Sequence, residues 1–233
     1  MNVIVTGASR GIGREIVKGF ARDGNHRIIA ISRNNEKLET LKSEGEKLNP
    51  GSEVIPFSAD ITARGFTDKF LPVIENLGPV DVLVNNAGGL INKPFRELTE
   101  EDFGFLFDVN VKSVFRLTRL LYPRFSKSAH IINMGSMGGY QGSSKFPGLS
   151  LYSASKGAVA ILTEAMAEEF KEDGITVNCL AVGAVQTEML ENAFPGYKAP
   201  LSSEEMASFI VDFAINGKKY FNGKILPVSV STP

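Results

Sequence analysis

The stretch Val3-Ile4-Val5-Thr6-Gly7-Ala8-Ser9-Arg10-Gly11-Ile12-Gly13 constrains this chain more than any other. Three apolar β-branched residues read as a short buried strand. Three glycines cross a tight turn, and an amphipathic period opens at once with Ile12, Ile16, Val17, Phe20 and Ala21. Glycine tolerates positive φ and, lacking Cβ, lets a phosphate approach the backbone. A helix N-terminus behind the turn offers unpaired N–H groups and the positive end of the peptide dipoles. Strand, glycine turn and helix in that order suit the pyrophosphate of a dinucleotide; an ordinary glycine-rich turn is the alternative. The glycines are spaced G-x-x-x-G-x-G, not the G-x-G-x-x-G of the standard fingerprint.

Strand and helix patterns then alternate to the end of the chain. Arg27 to Ser32 reads as the second strand, Glu36 to Leu48 as helix, Glu53 to Phe57 as the third strand and Ala63 to Leu77 as helix. Gly78-Pro79 breaks the chain before the fourth strand, Val80 to Val84. Thr99 with Asp102 three residues on predicts an N-cap, opening one long helix with the stripe Phe103, Leu106, Phe107, Val114, Leu117, Leu121. His130 to Met134 is the fifth strand, followed by a helix from about Tyr152 with Gly174 as its C-cap. Ile175 to Leu180 is the sixth strand, Ser202 with Glu205 starts a further helix to about Ile215, and Lys224 to Val228 closes the sheet. Continuous apolar strands alternating with helices predict an α/β fold, a single doubly wound parallel sheet over residues 1–233 with helices on both faces.

Composition excludes more than it selects. A chain of 233 residues suits one well-buried α/β domain, and its net charge of −1 offers nothing to nucleic acid or an anionic membrane. A lone cysteine, Cys179, in a strand-like run reads as a buried spectator, and His26 and His130 have no metal-ligand neighbours in sequence. No apolar run reaches the roughly 20 residues that span a bilayer. With a strand beginning at Val3, no signal sequence is expected, and a cytoplasmic protein is.

In a doubly wound sheet ligands bind beyond the C-terminal ends of the strands. After the second strand stands Ser32-Arg33, where an acidic residue would accept from an adenosine 2′-hydroxyl. A guanidinium there, with Arg10 as a second, suits a 2′-phosphate; solvated surface arginines are the alternative. Asp60-Ile61 follows the third strand, where Asp60 is open to two roles, accepting from an adenine amino group or capping a helix. Asn85-Asn86-Ala87-Gly88-Gly89 follows the fourth, its small residues letting backbone pass close to a ribose. Asn110 lies on an apolar stripe, where its amide requires a buried partner. Tyr152 and Lys156 share a helix face at i and i+4, and an ammonium beside a phenol lowers its pKa toward a range useful for proton transfer. Ser136, just past the fifth strand, is placed to hydrogen-bond a reacting oxygen.

Together these pieces resemble the short-chain dehydrogenase/reductase family: Thr6-Gly7-x-x-x-Gly11-x-Gly13, Asn85-Asn86-Ala87-Gly88, Asn110, Ser136 and Tyr152-x-x-x-Lys156, in family order. The resemblance covers nearly the whole chain. It implies a Rossmann-type fold and nicotinamide chemistry. It also implies that Ser136 orients the substrate oxygen and Tyr152 exchanges a proton with it. Lys156 would hold the nicotinamide ribose and lower the Tyr152 pKa, and Asn110 would support a water in the proton relay. Val185 and Thr187 fall at expected nicotinamide positions, and Ser32-Arg33 looks like the family's NADP-preferring pattern. The cofactor set implied is Gly7, Ser9, Arg10, Gly11, Ile12, Gly13, Ser32, Arg33, Asp60, Ile61, Asn86, Ala87, Gly88, Tyr152, Lys156, Val185 and Thr187.

Three departures stand out: Val182-Gly183 where the family usually has Pro-Gly, a long stretch from Met137 to Ser150, and an end, Ser229 to Pro233, without the family's common Asp-Gly-Gly. The reading expected is an NADP(H)-dependent oxidoreductase, NADP(H) preferred over NAD(H), interconverting a small-molecule carbonyl and a secondary alcohol. A substrate lid at 188–201 carries Met189, Leu190, Phe194 and Tyr197, which suit an apolar or amphipathic substrate; packing of the lid is the alternative. A homodimer or homotetramer is expected, the helices from Thr99 and Tyr152 pairing across it, with Ala154, Ala158 and Ile161 allowing close approach. A 3-oxoacyl-thioester reductase role is consistent with the resemblance. The rival of another class is an NADP-binding sensor or scaffold without turnover; a sugar-nucleotide epimerase or dehydratase would require a larger C-terminal region.

Overall fold

Strands apolar on both faces leave a sheet without a solvent side, so both faces must be covered. The structure, a computed structural model that describes residues 1–230, has that arrangement. The elements are β1 (Asn2–Thr6), α1 (Gly11–Asp23), β2 (Arg27–Ser32), α2 (Asn35–Leu48), β3 (Glu53–Ser58), α3 (Phe66–Glu75), β4 (Val80–Asn85), α4 (Glu100–Phe107) and α5 (Ser113–Leu121). They continue with β5 (Phe125–Met134), α6 (Ser150–Glu169), β6 (Thr176–Val182), β7 (Val185–Gln186), α7 (Glu188–Ala193), β8 (Leu201–Ser202), α8 (Ser203–Asn216) and β9 (Ile225–Val228). Seven strands form one parallel sheet in the order β3-β2-β1-β4-β5-β6-β9, and β7 pairs with β8 separately.

Alternation along the strands splits the core in two. Val3, Val5, Ile28, Ala30, Val82, Val84 and Leu180 face one layer, where α1 and α8 bring Ile16, Phe20, Met206 and Ile210. Ile4, Ile29, Ile31, Leu83, Ile131 and Val177 face the other, packed by Phe66, Phe70, Leu117 and Met166. Each large side chain withdrawn from water contributes about 1.5–3 kcal/mol, so the two layers supply the main driving force. Chain order reverses beside β1, which pairs with β2 on one side and β4 on the other. The crevice at that reversal is where a ligand is received.

Caps follow the sequence signals: Thr99 with Asp102 and Ser202 with Glu205 both form reciprocal capping boxes. Other boundaries moved. The helix expected over 63–77 begins only at Phe66, because residues before it are drawn into a turn in which Asp60 Oδ1 accepts from Thr62 N at 2.8 Å. Gly174 caps not α6 but the short 3-10 turn Lys171–Asp173 that follows it, in the left-handed region at φ 72°.

The main correction concerns the long helix expected from Thr99. It is interrupted by a π turn at Asp108–Lys112 between α4 and α5. One extra residue in that turn breaks the 3.6-residue phase, so Phe103 is exposed and stacks on Phe107 at 4.4 Å, while Asn110 is carried into the interior.

Candidate active site

Backbone proximity builds the crevice first. Gly7 and Gly11 have φ of 68° and 53°, conformations that side-chain-bearing residues rarely adopt. A Cβ on Gly7 would stand 2.9 Å from Ala87 Cα, and one on Gly13 would intrude on Asn86 Nδ2 and the Gly7 carbonyl. The glycine turn is therefore pressed against the segment after β4. Asn86 Nδ2 donates to Thr6 O at 2.9 Å, and Ala87 N donates to Thr6 Oγ1 at 2.9 Å. Behind the turn, α1 has no side-chain cap at Arg10 and no acidic residue in its first turn. Its N-terminal donors remain open to an anion.

A second set of contacts builds the far end. Asn85 Nδ2 donates to Asn133 Oδ1 at 2.8 Å and Asn133 Nδ2 to Thr163 Oγ1 at 2.8 Å, a buried chain that ties β4, β5 and α6 together. The Met137–Gly139 turn lies so close on α6 that a Cβ on Gly139 would stand 2.6 Å from Gly157 N. That approach brings Ser136 to the Tyr152 phenol, whose pKa it pulls downward. Lys156 is buried and donates from Nζ to Met134 O at 2.7 Å.

The resulting cavity, of about 430 Å³, runs from Ser32 and Arg33 past the glycine turn to Ser136, Tyr152 and Lys156. Its size is within the range of small-molecule sites. Every expected cofactor position lines it: Gly7, Ser9, Arg10, Gly11, Ile12, Gly13, Ser32, Arg33, Asp60, Ile61, Asn86, Ala87, Gly88, Val185 and Thr187, with Tyr152 and Lys156. A cradle that Cβ atoms would fill, open helix donors and guanidinium groups at one end fit a dinucleotide phosphate. Ser32 Oγ donates to Ser9 Oγ at 2.7 Å, joining β2 to the glycine turn.

Several expectations change. Asn110 does not line the cavity but stands behind Gly88 and Gly89. Its Oδ1 accepts from Gly89 N at 2.8 Å, and its Nδ2 donates to Gly89 O at 3.0 Å and Ser155 Oγ at 2.9 Å. Both amide protons are committed, so the side chain positions its neighbours and leaves no proton for a water. Asp60 acts as a turn cap, its Oδ1 taking Thr62 N and Oγ1, which with Arg33 nearby hold its pKa below the ordinary range. Arg10 is engaged by a carboxylate, Glu188, at 2.8 Å. Of the residues expected in a lid at 188–201, Met189 and Leu190 line the cavity, whereas Phe194 and Tyr197 do not, and Tyr197 is exposed. The long stretch 137–150 contributes nothing to the cavity wall among the described residues; Ser143 and Lys145 fold it back on the Met137 and Tyr140 carbonyls. Val182 continues β6, and Gly183 N donates to Val228 O at 2.9 Å, so the strand holds without the family proline.

Electrostatics at the far end also departs from expectation. Burial raises the Tyr152 pKa above its ordinary 10, against a smaller downward pull from Ser136. The lowering expected from Lys156 does not govern it, because that ammonium is directed at Met134 O and lies 6.0 Å from the Tyr152 ring centre. Burial pushes Lys156 itself down to about 8, and Cys179 up to about 11, a neutral thiol. Among the described residues no cluster of His, Cys, Asp and Glu is arranged to hold a metal, and no helix is long and apolar enough to cross a membrane. The expected C-terminal departure falls partly on residues 231–233, which lie outside the described residues.

Sequence reasoning passed over Glu188 and Lys37, which lie 3.7 Å apart although distant in the chain. No local signal marks that pair.

Comparison with known proteins agrees with this geometry. The family model described as short chain dehydrogenase matches residues 1–198. The chain is 32% identical to a 3-oxoacyl-(acyl-carrier-protein) reductase of Thermotoga maritima, over 97% of this chain and 94% of that protein. It is 35% identical to carbonyl reductase (NADPH) 2 of Sus scrofa, over 81% and 73%. Its fold is similar to that of L-sorbose reductase from Gluconobacter frateurii, solved with NADPH and L-sorbose, with a TM-score of 0.87 at 26% identity over 99% and 95% of the two chains.

Proposed function

The chain belongs to the short-chain dehydrogenase family of oxidoreductases, and from that premise we propose that it is an NADP(H)-dependent reductase interconverting an apolar ketone and a secondary alcohol. The observation that carries this reading is the gathering of Ser136, Tyr152 and Lys156 at one end of a cavity whose other end is the glycine turn. A binding protein without turnover has no use for a phenol, a hydroxyl and a buried ammonium gathered at that end.

Bound there, the nicotinamide would supply or accept the hydride. The chain's residues do the rest. Ser136 donates to the substrate oxygen and holds the carbonyl toward Tyr152. Tyr152, protonated because burial raises its pKa, delivers the proton as the oxygen gains charge. Lys156, its ammonium held on Met134 O 6.0 Å from the Tyr152 ring centre, adds a more distant positive charge that favours the phenolate left behind without setting its pKa. Gly7, Gly11, Gly13 and the α1 donors would take the pyrophosphate, and Arg10 and Arg33 the 2′-phosphate. Residues 188–201 serve as lid.

Around the Tyr152 end the wall is Leu90, Phe105, Val109, Met189 and Leu190, with Gly89 seated under the Phe105 ring. Those five side chains are all apolar, and beside them stands the Lys156 ammonium assigned above; a wall of that kind supports an apolar substrate over a sugar acid. Exposed Phe103, Phe115 and Ile161 on α4, α5 and α6 support a homo-oligomer pairing those helices.

The test is NADPH oxidation against a panel of ketones, diketones and 3-oxoacyl thioesters, with Tyr152→Phe alongside. Turnover of apolar ketones that falls at least about 100-fold in the variant is expected. Undiminished turnover in Tyr152→Phe overturns the assigned role.

A further inference from the structure

Glu188, the first residue of α7, reaches back across the crevice to the adenosine end. Its Oε2 accepts from Arg10 Nη1 at 2.8 Å, and its Oε1 stands 3.7 Å from Lys37 Nζ. Arg10 belongs to the glycine turn and Lys37 to the first turn of α2, just past Ser32-Arg33. The reach is imposed by packing: a Cβ on Gly11 would stand 3.3 Å from Thr187 Cγ2, so the base of α7 is seated on the glycine turn. Thr187 also caps α7 by accepting from Leu190 N at 3.2 Å. Arg10, then Lys37, hold the Glu188 carboxyl below the ordinary carboxylate range.

We propose that Glu188 is a specificity-determining residue: its carboxylate, with Lys37 on its other side, engages Arg10, one of the two guanidinium groups assigned above to a cofactor 2′-phosphate, and so lowers the preference for NADPH over NADH. The inference rests on the dinucleotide reading above. A phosphate is close to dianionic at neutral pH and has three acceptor oxygens, so it displaces a single carboxylate from a guanidinium. Once displaced, Glu188 remains beside the phosphate as a like charge. A 2′-hydroxyl neither competes for Arg10 nor suffers that repulsion. The three side chains are each about half-exposed, so the effect is moderate and sensitive to salt.

The experiment is a fluorescence titration of NADPH and NADH, giving Kd for the full chain, Glu188→Gln, Arg10→Ala and the double variant at low and high salt. Glu188→Gln is expected to tighten NADPH about three- to tenfold while NADH stays within about twofold, a gain that shrinks with salt. In the Arg10→Ala background the gain from Glu188→Gln is expected to shrink, because competition for Arg10 is gone and only the like-charge repulsion and Lys37 remain. A parent chain that prefers NADH but moves toward NADPH in Glu188→Gln supports the proposal and corrects the cofactor preference proposed above. A parent chain that prefers NADPH, with the same ratio in Glu188→Gln, overturns the proposal and leaves that preference standing. Equal shifts for both cofactors also overturn it, reducing Glu188 to a tether for α7.

Discussion

Asn110 and Gly89 hold each other reciprocally: Gly89 N donates to Asn110 Oδ1 at 2.8 Å, and Asn110 Nδ2 returns a bond to Gly89 O at 3.0 Å. One side chain thereby satisfies both backbone groups of a residue in the loop after β4. Its remaining proton goes to Ser155 Oγ, which in turn donates to Tyr152 O at 2.7 Å. The π turn at Asp108–Lys112 is what brings Asn110 to the loop and to the helix that carries Tyr152.

Replacing Asn110 with Ala leaves a buried N–H and carbonyl unpaired. The expected cost is about 3 kcal/mol, since each orphaned group costs about 1–3 kcal/mol. Thermal unfolding should show a Tm lower by roughly 6–12 °C. Ketone reduction should fall by more than about tenfold, because misplacing Gly89 and Tyr152 by a fraction of an ångström weakens proton transfer. A Tm unchanged within about 2 °C is incompatible with this account.

The pH dependence follows from Lys156, about 8, and Tyr152, raised above 10. As pH rises through about 8 the ammonium loses its proton, while the phenol keeps the one it gives up in the proposed reaction. For reduction, kcat/KM follows groups of the free protein, so it should be level through neutrality and decline above about pH 8. Lys156→Met should lower the rate throughout and abolish that decline. A decline that persists in the variant assigns it to another group.

His130 predicts an acid limit to stability. It is fully buried; its Nδ1 lies 3.0 Å from Ala214 O as donor, and its Nε2 accepts from Asn178 Nδ2 at 3.0 Å in the neutral tautomer these partners require. Burial lowers its pKa from 6.5 to about 4, with a smaller push from Lys218. Between these values the unfolded chain binds the proton and the folded one does not. Stability is thus intact above pH 6.5 and lost progressively toward pH 4, by about 3 kcal/mol in all. His130→Gln removes the titration, so its Tm deficit at pH 8 should shrink as the pH falls to 4. A deficit constant with pH would count against it.

Local patterns were enough for the sheet, both capping boxes and the end-of-strand positions of the cavity residues. Strand alternation, glycine placement and i, i+4 spacing are short-range consequences of backbone geometry, and Val3 to Gly13 carries all three kinds of signal. Tertiary structure decided the rest. The π turn depends on Asn110 finding Gly89 from another element, and a 3.6-residue stripe does not register an inserted residue. The Tyr152 pKa moved up because desolvation is a property of the assembled crevice, while sequence spacing shows only that Lys156 is near. Arg10 met Glu188 across 178 positions of chain, a charge pairing that only the packing of Thr187 on Gly11 brings within range. Identity and spacing of residues are local facts; burial and the choice among competing partners exist only once the chain has closed on itself.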